Sequence, residues 1–291
     1  MPMLESPLPS VSAPVPAVAW QGLRNVSWLE SLSDERLSVL AGQCLWHRLE
    51  SGQVLHGAYT DERMYMLING QLSVGSYSNV PLRLQADHLT VVGERQRLQL
   101  DDGSKVLLNT NSAFSSSLKG QQRIARLYQG EAFFDIAPTH GLPLEIDAGP
   151  VRASVRDTAF AVRYLNGEAQ VQVQRGDVDL SNTFDDARVR LSAGESIRIG
   201  PNGFDRPAKL DAATELAWVQ GRLVFENCPL SQVLAELRRY YPGWIINNNE
   251  RLANVAVTGN YRLDQPLDAV RSLAHITSAK LQEFPALVIL N

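Results

Sequence analysis

Between about Arg48 and Ile199 the chain runs in short segments that alternate apolar and polar residues, many of them divided by a glycine, and few folds accept that pattern. Leu98 and Leu100 alternate with Arg97 and Gln99, Asp101-Asp102-Gly103-Ser104 supplies a turn, and Val106 and Leu108 resume the same face. An Asp-Gly pair between alternating segments signals a hairpin, because the turn needs positive φ. The alternation continues through Ala132, Phe134 and Ile136, then Val151, Ala153 and Val155, then Phe160, Val162 and Tyr164. Val171 and Val173, Val178 and Leu180, Val189 and Leu191, and Ile197 and Ile199 complete it. Gly70-Gln71, Gly130-Glu131, Gly167-Glu168, Gly176-Asp177 and Gly194-Glu195 read as strand starts, at a spacing too uneven for a solenoid. The expected architecture is a β-sandwich or roll of short strands.

The period changes after this region. Pro201 to about Thr214 reads as a linker, broken by Asn202-Gly203 and Pro207. Beyond it, Leu223-Val224-Phe225 forms a strand, and Asn227 is a candidate N-cap. Leu230, Val233, Leu234, Leu237 and Tyr241 then fall on one helical face, and Pro242-Gly243 stops the helix before the strand Trp244-Ile245-Ile246. A second cycle follows: a strand at Val255-Ala256-Val257, a helix capped by Asp264 that bears Leu267, Val270 and Leu273, and closing strands at Leu281 and Leu287 to Leu290. Both helices begin with Pro-Leu-x-x-Val, with proline in the first turn, where its missing N–H costs nothing. The fold class is therefore mainly β with a small α+β domain, a βαβ repeat, at the C-terminal end. The expected organisation is a flexible leader over 1–25, a helix plus β segment over 26–85, a β domain over 86–200, a linker over 201–214 and the repeat domain over 215–291.

The chemistry-bearing residues are sparse. His47, His56, His88, His140 and His275 are scattered, and no nucleophile elbow, phosphate loop or dinucleotide fingerprint is present. Asp101-Asp102 and Asp185-Asp186 read as solvated turn acids. The formal net charge of −4 comes with no dense Lys/Arg cluster, which argues against a nucleic-acid partner. Cys44 and Cys228 are too few for a disulfide scaffold and match no metal-ligand spacing, so neither metal nor cofactor is expected. The uncharged stretches 6–23 and 64–82 are interrupted by prolines and by polar residues respectively, so neither reads as a transmembrane helix or a signal peptide. What stands out is an aromatic corner, Tyr240, Tyr241 and Trp244, where the first helix of the repeat turns into its strand. Core burial is one reading of it; a partner-binding patch is the other.

From about Ala86 onward the sequence resembles the extracytoplasmic part of FecR-like regulators, partners and inhibitors of extracytoplasmic-function sigma factors. The segments that carry the likeness are Val92-Gly93-Glu94-Arg95, Leu100 to Asn109 with Asn111-Ser112-Ala113, Gln129 to Ala137, and Leu191 to Glu195. Trp218-x-x-Gly221-x-Leu223-x-Phe225, followed by Pro229-Leu230-x-x-Val233-Leu234-x-Glu236-Leu237-x-Arg239-Tyr240, looks like the continuation of that family. The repeat domain is similar to the small domain shared by secretins and TonB-dependent receptors. The resemblance implies a periplasmic sensor of iron-siderophore signalling. Its partners would be the signalling domain of a TonB-dependent outer-membrane transducer and, through a cytoplasmic segment, a sigma factor. Three departures stand against it: no membrane helix precedes the β region, no sigma-binding helical segment is recognisable, and Asp157 stands where the family generally has glycine. Asp tolerates positive φ better than most residues, so the turn is expected to survive.

The first third is similar to something else. Trp28-Leu29-x-x-Leu32-Ser33, Leu49-x-x-Gly52-x-x-Leu55 and Met64 to Val74 resemble the opening half of a cyclic-nucleotide-binding domain, without the later phosphate-holding cassette. The alternative function is therefore a cyclic-nucleotide-responsive regulator.

Overall fold

The computed structural model describes residues 33–35, 37, 86–117, 123–138, 143–185 and 187–291. The chain divides into two compact units, 1–75 and 76–291. In the first, one turn of helix is described, with the buried Leu37 donating from its N–H to Ser33 O. The rest of the helix plus β segment expected over 26–85, with its cyclic-nucleotide-like motifs, and the leader lie outside the described residues, as does Cys44.

In the second unit the alternating segments form fourteen strands of one continuous sheet. They are β1 (His88–Leu89), β2 (Gln96–Gln99), β3 (Lys105–Leu108), β4 (Ala113–Ser117), β5 (Ile124–Asp135), β6 (Leu144–Ala148), β7 (Val151–Val155), β8 (Ala159–Leu165), β9 (Glu168–Arg175), β10 (Asp177–Asn182), β11 (Arg188–Ser192), β12 (Glu195–Gly200), β13 (Gly203–Phe204) and β14 (Ala208–Lys209). The sheet folds over along β5. The first half of this twelve-residue strand pairs with β4 and, in parallel, with β6, and its second half pairs with β3 and β8. Inward residues from both halves close on one core that includes Leu108, Phe114, Leu127, Phe134, Ile146, Phe160 and Val171. Phe134 stacks on Phe160 with ring centroids 5.3 Å apart.

Gly130 is the hinge of β5, at φ +98°, and not the strand start that its Gly-polar pair suggests. A Cβ there would lie 2.2 Å from Ser112 Oγ and 2.5 Å from Ser112 Cα, so only glycine lets the two segments meet. By contrast, Gly167, Gly176 and Gly194 do precede strands, at β9, β10 and β12. Asp157 takes φ +45°, the left-handed conformation expected where the family has glycine.

The segment 201–214 is not a free linker. β13 and β14 both pair with β12, and the chain then passes into a short helix, α1 (Ala212–Glu215), capped by Asp211. After a 3-10 turn over Ala217–Gln220 the repeat follows as β15 (Arg222–Pro229), α2 (Leu230–Arg238), β16 (Trp244–Asn247), β17 (Ala256–Arg262), α3 (Pro266–Ile276), β18 (Leu281–Phe284) and β19 (Leu287–Leu290). β15 pairs with β17, while β19 lies between β16, parallel to it, and β18, antiparallel. The expected helix caps shift. Asn227 sits in a bulge of β15 at φ +49° and Pro229 takes the cap of α2, while Gln265 rather than Asp264 precedes α3.

The second core joins the repeat to the outer side of the folded sheet. Phe133, Ala159 and Ala161, which alternate with the inward residues of β5 and β8, pack with Trp218, Leu230, Val233, Leu237 and Tyr240. The two alanines keep that face flat enough for helix and turn to approach closely. The β region and the repeat are thus two modules of one unit.

Two substitutions check the turn geometry by urea unfolding. Gly130→Ala is expected to cost about 3 kcal/mol, through strain and overlap with Ser112. Asp157→Gly, which relieves a left-handed non-glycine residue, is expected to gain up to about 1 kcal/mol.

Candidate functional site

α2 forms because Leu230, Val233, Leu234 and Leu237 recur at helical spacing and all are buried. Its last turn delivers Arg238, Arg239, Tyr240 and Tyr241 in succession, and each goes to a different place. Arg238 folds back, its Nε donating to Ile245 O in β16 at 2.8 Å. Arg239 crosses to the β module. Tyr240 is 1% exposed and lies in the joint between the modules, with Asn109 Nδ2 donating to its hydroxyl at 2.7 Å. Tyr241 is half-buried beside the ion pair of Arg271 and Glu283, and Trp244 is 45% exposed.

The sequence-predicted aromatic patch is therefore split. Tyr240 cannot touch a partner from inside the joint, which corrects its assignment as a surface contact. The buried face continues through Tyr240 rather than Tyr241, because the helix ends at Arg238 and the last turn tightens, Tyr240 N donating to Leu237 O at 3.0 Å. Tyr241 and Trp244 remain on the outside of the corner. β16, which starts at Trp244, is an edge of its three-stranded sheet.

The joint itself is an ionic clasp that sequence reasoning missed. Arg239 Nη2 donates to Glu131 Oε2 at 2.6 Å and Nη1 to Glu236 Oε2 at 2.8 Å. Arg163 Nη1 from β8 donates to Glu236 Oε1 at 2.6 Å, and Asn109 Nδ2 donates to Glu131 Oε2 at 2.7 Å. The Arg239 guanidinium also lies 5.6 Å from the Tyr240 ring centroid. Backbone contacts reinforce the charges: Thr110 Oγ1 donates to Arg239 O at 2.7 Å, and Arg95 Nη1 to Trp218 O at 2.8 Å.

The electrostatics follow from this geometry. Burial works to raise the Glu236 carboxyl, but Arg239 and Arg163 outweigh it and hold the group down at about 2. Burial opposes the charge on Arg239, yet Glu131 and Glu236 lift its pKa well above the ordinary arginine value. Burial pushes the Tyr240 hydroxyl far above its usual range despite the nearby arginine. One signal could have exposed the clasp. Glu131 heads the run Glu131-Ala132-Phe133-Phe134, buried on both faces, and a carboxylate there demands a cation.

Among the described residues no group of three or more His, Cys, Asp or Glu is placed to hold a metal ion. Cys228 is a half-buried free thiol. Asp102, at the hairpin tip, accepts from Ser104 N and pairs with Arg123. No helix among the described residues is long and apolar enough to cross a membrane.

Comparison with known proteins adds two kinds of likeness. The family model described as FecR protein matches residues 86–179, and the one described as FecR, C-terminal, matches 222–280, together just over half of the chain. No curated protein matches. Among solved structures, the chain is similar to two crystal structures of a candidate anti-sigma factor from Parabacteroides distasonis. One has 24% identity and a TM-score of 0.59, over 70% of this chain and 97% of that one. The other has 22% identity and a TM-score of 0.58, over 70% and 96%. At these identities the likeness is one of fold.

The clasp yields two predictions. Glu131→Gln removes one of the two carboxylates that hold Arg239, whose bond to Glu236 remains, and is expected to cost about 3 kcal/mol in urea unfolding. The double variant Glu131→Gln/Arg239→Met should lose less than the sum of the single changes. Glu236 has a depressed pKa in the folded chain, so its contribution is complete above the unfolded value of 4.5 and is lost as pH falls towards about 2. The stability difference between the wild type and Glu236→Gln should accordingly hold steady from about pH 7 to 5 and shrink below it.

Proposed function

This chain belongs to the FecR family, and from that premise we propose that it is the sensing part of a regulator of sigma-factor-dependent cell-surface signalling. On this reading it works in the periplasm. Its C-terminal module binds the signalling domain of a TonB-dependent outer-membrane transducer of the iron-siderophore type, and the signal is passed towards an extracytoplasmic-function sigma factor. The observation that carries the reading is Trp244, 45% exposed at the start of an edge strand, with half-buried Tyr241 beside the same turn. A large aromatic left outside on an ordered strand supplies contact area at little entropic cost. An edge strand can in addition accept a partner strand.

Binding also fits the way the buried charges are used. The shifted pKa of Glu236 arises from arginines at the joint, and Glu131 is bonded to one of them. Such groups are spent on structure, whereas a catalytic acid or base needs a free position beside a reacting atom.

The test is a pull-down from a bacterial envelope extract with the full chain and with Trp244→Ala. Retention of a TonB-dependent receptor by the wild type, weakened about tenfold in the variant, is the expected result. A folded chain that retains no such receptor would sink this reading.

A further inference from the structure

Three arginines meet one carboxylate where the β module adjoins the start of the repeat. Arg222, at the head of β15, lies directly opposite Arg262, at the end of β17, so both side chains leave the same face of that two-stranded sheet, and both are exposed. Like charges opposite each other on paired strands repel. Arg262 is relieved by Asp264, its Nε donating to Oδ1 at 3.0 Å and its Nη2 to Oδ2 at 2.6 Å. Arg222 has no ion-pair partner among the described residues.

The third arginine comes from the other module, and its guanidinium is fixed. Arg95 Nη1 donates to Trp218 O at 2.8 Å, and Nη2 lies 3.0 Å from the position that a Cβ on Gly221 would take. Gly221, at φ +83°, closes the 3-10 turn just before Arg222, and its carbonyl accepts from Leu263 N at 3.1 Å. The backbone thus brings Arg95, Arg222 and the Arg262–Asp264 pair to one corner. The Asp264 carboxyl is held below the usual carboxylate range, first by its bonds from Arg262 and further by the charge of Arg95. Of the other acids on these segments, Glu94 turns back to accept from Val91 N at 2.9 Å, and Glu226 sits farther along β15 at its bulge.

We propose that this corner binds a phosphate group, with Arg95 and Arg222 as its cationic contacts and Arg262 shared between the phosphate and Asp264. Three guanidiniums against one carboxylate leave an excess of two positive charges, which a doubly charged oxyanion matches and a single further carboxylate would leave half-met. The free N–H groups are of the forked kind that takes two oxygens of one phosphate. Arg95 is already held by Trp218 O against Gly221, so little ordering is left for the ligand to impose on it. Because Arg95 belongs to the β module and Arg222 to the repeat, the anion bridges the two and adds to the attachment that the clasp provides. The phosphate is a free ion or one carried on a lipid headgroup, and the recognising chemistry is the same for both.

The test is calorimetric titration of the full chain with inorganic phosphate at low ionic strength and about pH 8, where the ion is doubly charged, with chloride as the control. Saturable binding is expected, weakened about tenfold in Arg222→Gln and unchanged in Arg190→Gln, an exposed arginine already paired with Asp177. Asp264→Asn releases Arg262 and should tighten binding a few-fold, which a purely structural cluster would not do. Phosphate should also raise the unfolding midpoint of the wild type more than that of Arg222→Gln. Vesicles of phosphatidic acid separate the two sources: retention that depends on Arg222 assigns the phosphate to a headgroup, and binding of inorganic phosphate without such retention assigns it to the free ion. If neither probe binds, or if Arg222→Gln and Arg190→Gln weaken binding alike, the charge acts diffusely and the inference fails. If polyglutamate binds more tightly than phosphate with the same dependence on Arg222, the occupant is an acidic chain segment, and the inference is overturned.

Discussion

The Glu131–Arg239 pair is the interaction on which the arrangement of the two modules depends. A carboxylate with a side chain only 4% exposed has lost most of its water, and hydrophobic packing around it cannot make up that loss. The cost is offset by the countercharge and by the bonds that Arg239 and Asn109 both donate to Oε2. Arg239 meets Glu131 only when α2 lies across the outer face of β5 and β8. The pair therefore selects one placement of the repeat on the sheet, while Phe133, Ala159, Ala161 and the apolar face of α2 supply the attraction. Apolar packing alone is tolerant of sliding by a turn of helix, whereas a buried arginine bonded to carboxylates of both modules is not.

The family likeness takes on physical meaning at the same place. Gly93, Arg95, Asn109, Ser112, Gly130, Glu131, Trp218, Glu236, Arg239 and Tyr240 all belong to segments that carry it, and they converge on the joint rather than on a cavity. Gly130 admits Ser112, Ser112 Oγ accepts from Glu131 N at 3.0 Å, and Glu131 receives Arg239. A motif of this kind preserves a spatial relation between modules. Val91, Phe184 and Trp244, by contrast, are exposed and take no part in that joint.

Much of the β module was legible because one face of most strands is solvated, so a period of two survives in the sequence. Val151, Ala153 and Val155 are read correctly for that reason, and their neighbours Arg152 and Ser154 are indeed less buried. Legibility failed where both faces are covered. In Ala132-Phe133-Phe134 the alternation identifies the inward Phe134 but gives no sign that Phe133 also packs, against the repeat. The aromatic corner failed for a related reason: helical periodicity reaches to Tyr241 on paper, yet the helix has ended at Arg238 and the following turn sends Tyr240 inward. The ionic partners were invisible because Glu131 and Arg239 lie 108 residues apart, and nothing local to either names the other.

Consecutive residues at the end of α2 tie the outside of the corner to the inside of the joint. Arg238 holds the outward carbonyl of Ile245, Arg239 holds Glu131, and Tyr240 receives Asn109. A partner that pulled on β16 would act first on Ile245, and through Arg238 on the helix end whose next residue carries the clasp. With so short a path the two modules cannot respond independently to load at Trp244. They move together as one body, or part only by breaking the bonds of Glu131 to Arg239 and of Arg163 to Glu236, which leaves Glu131 without its cation. The first course is cheaper in free energy, and it makes the joint a rigid connection between the corner and the β module.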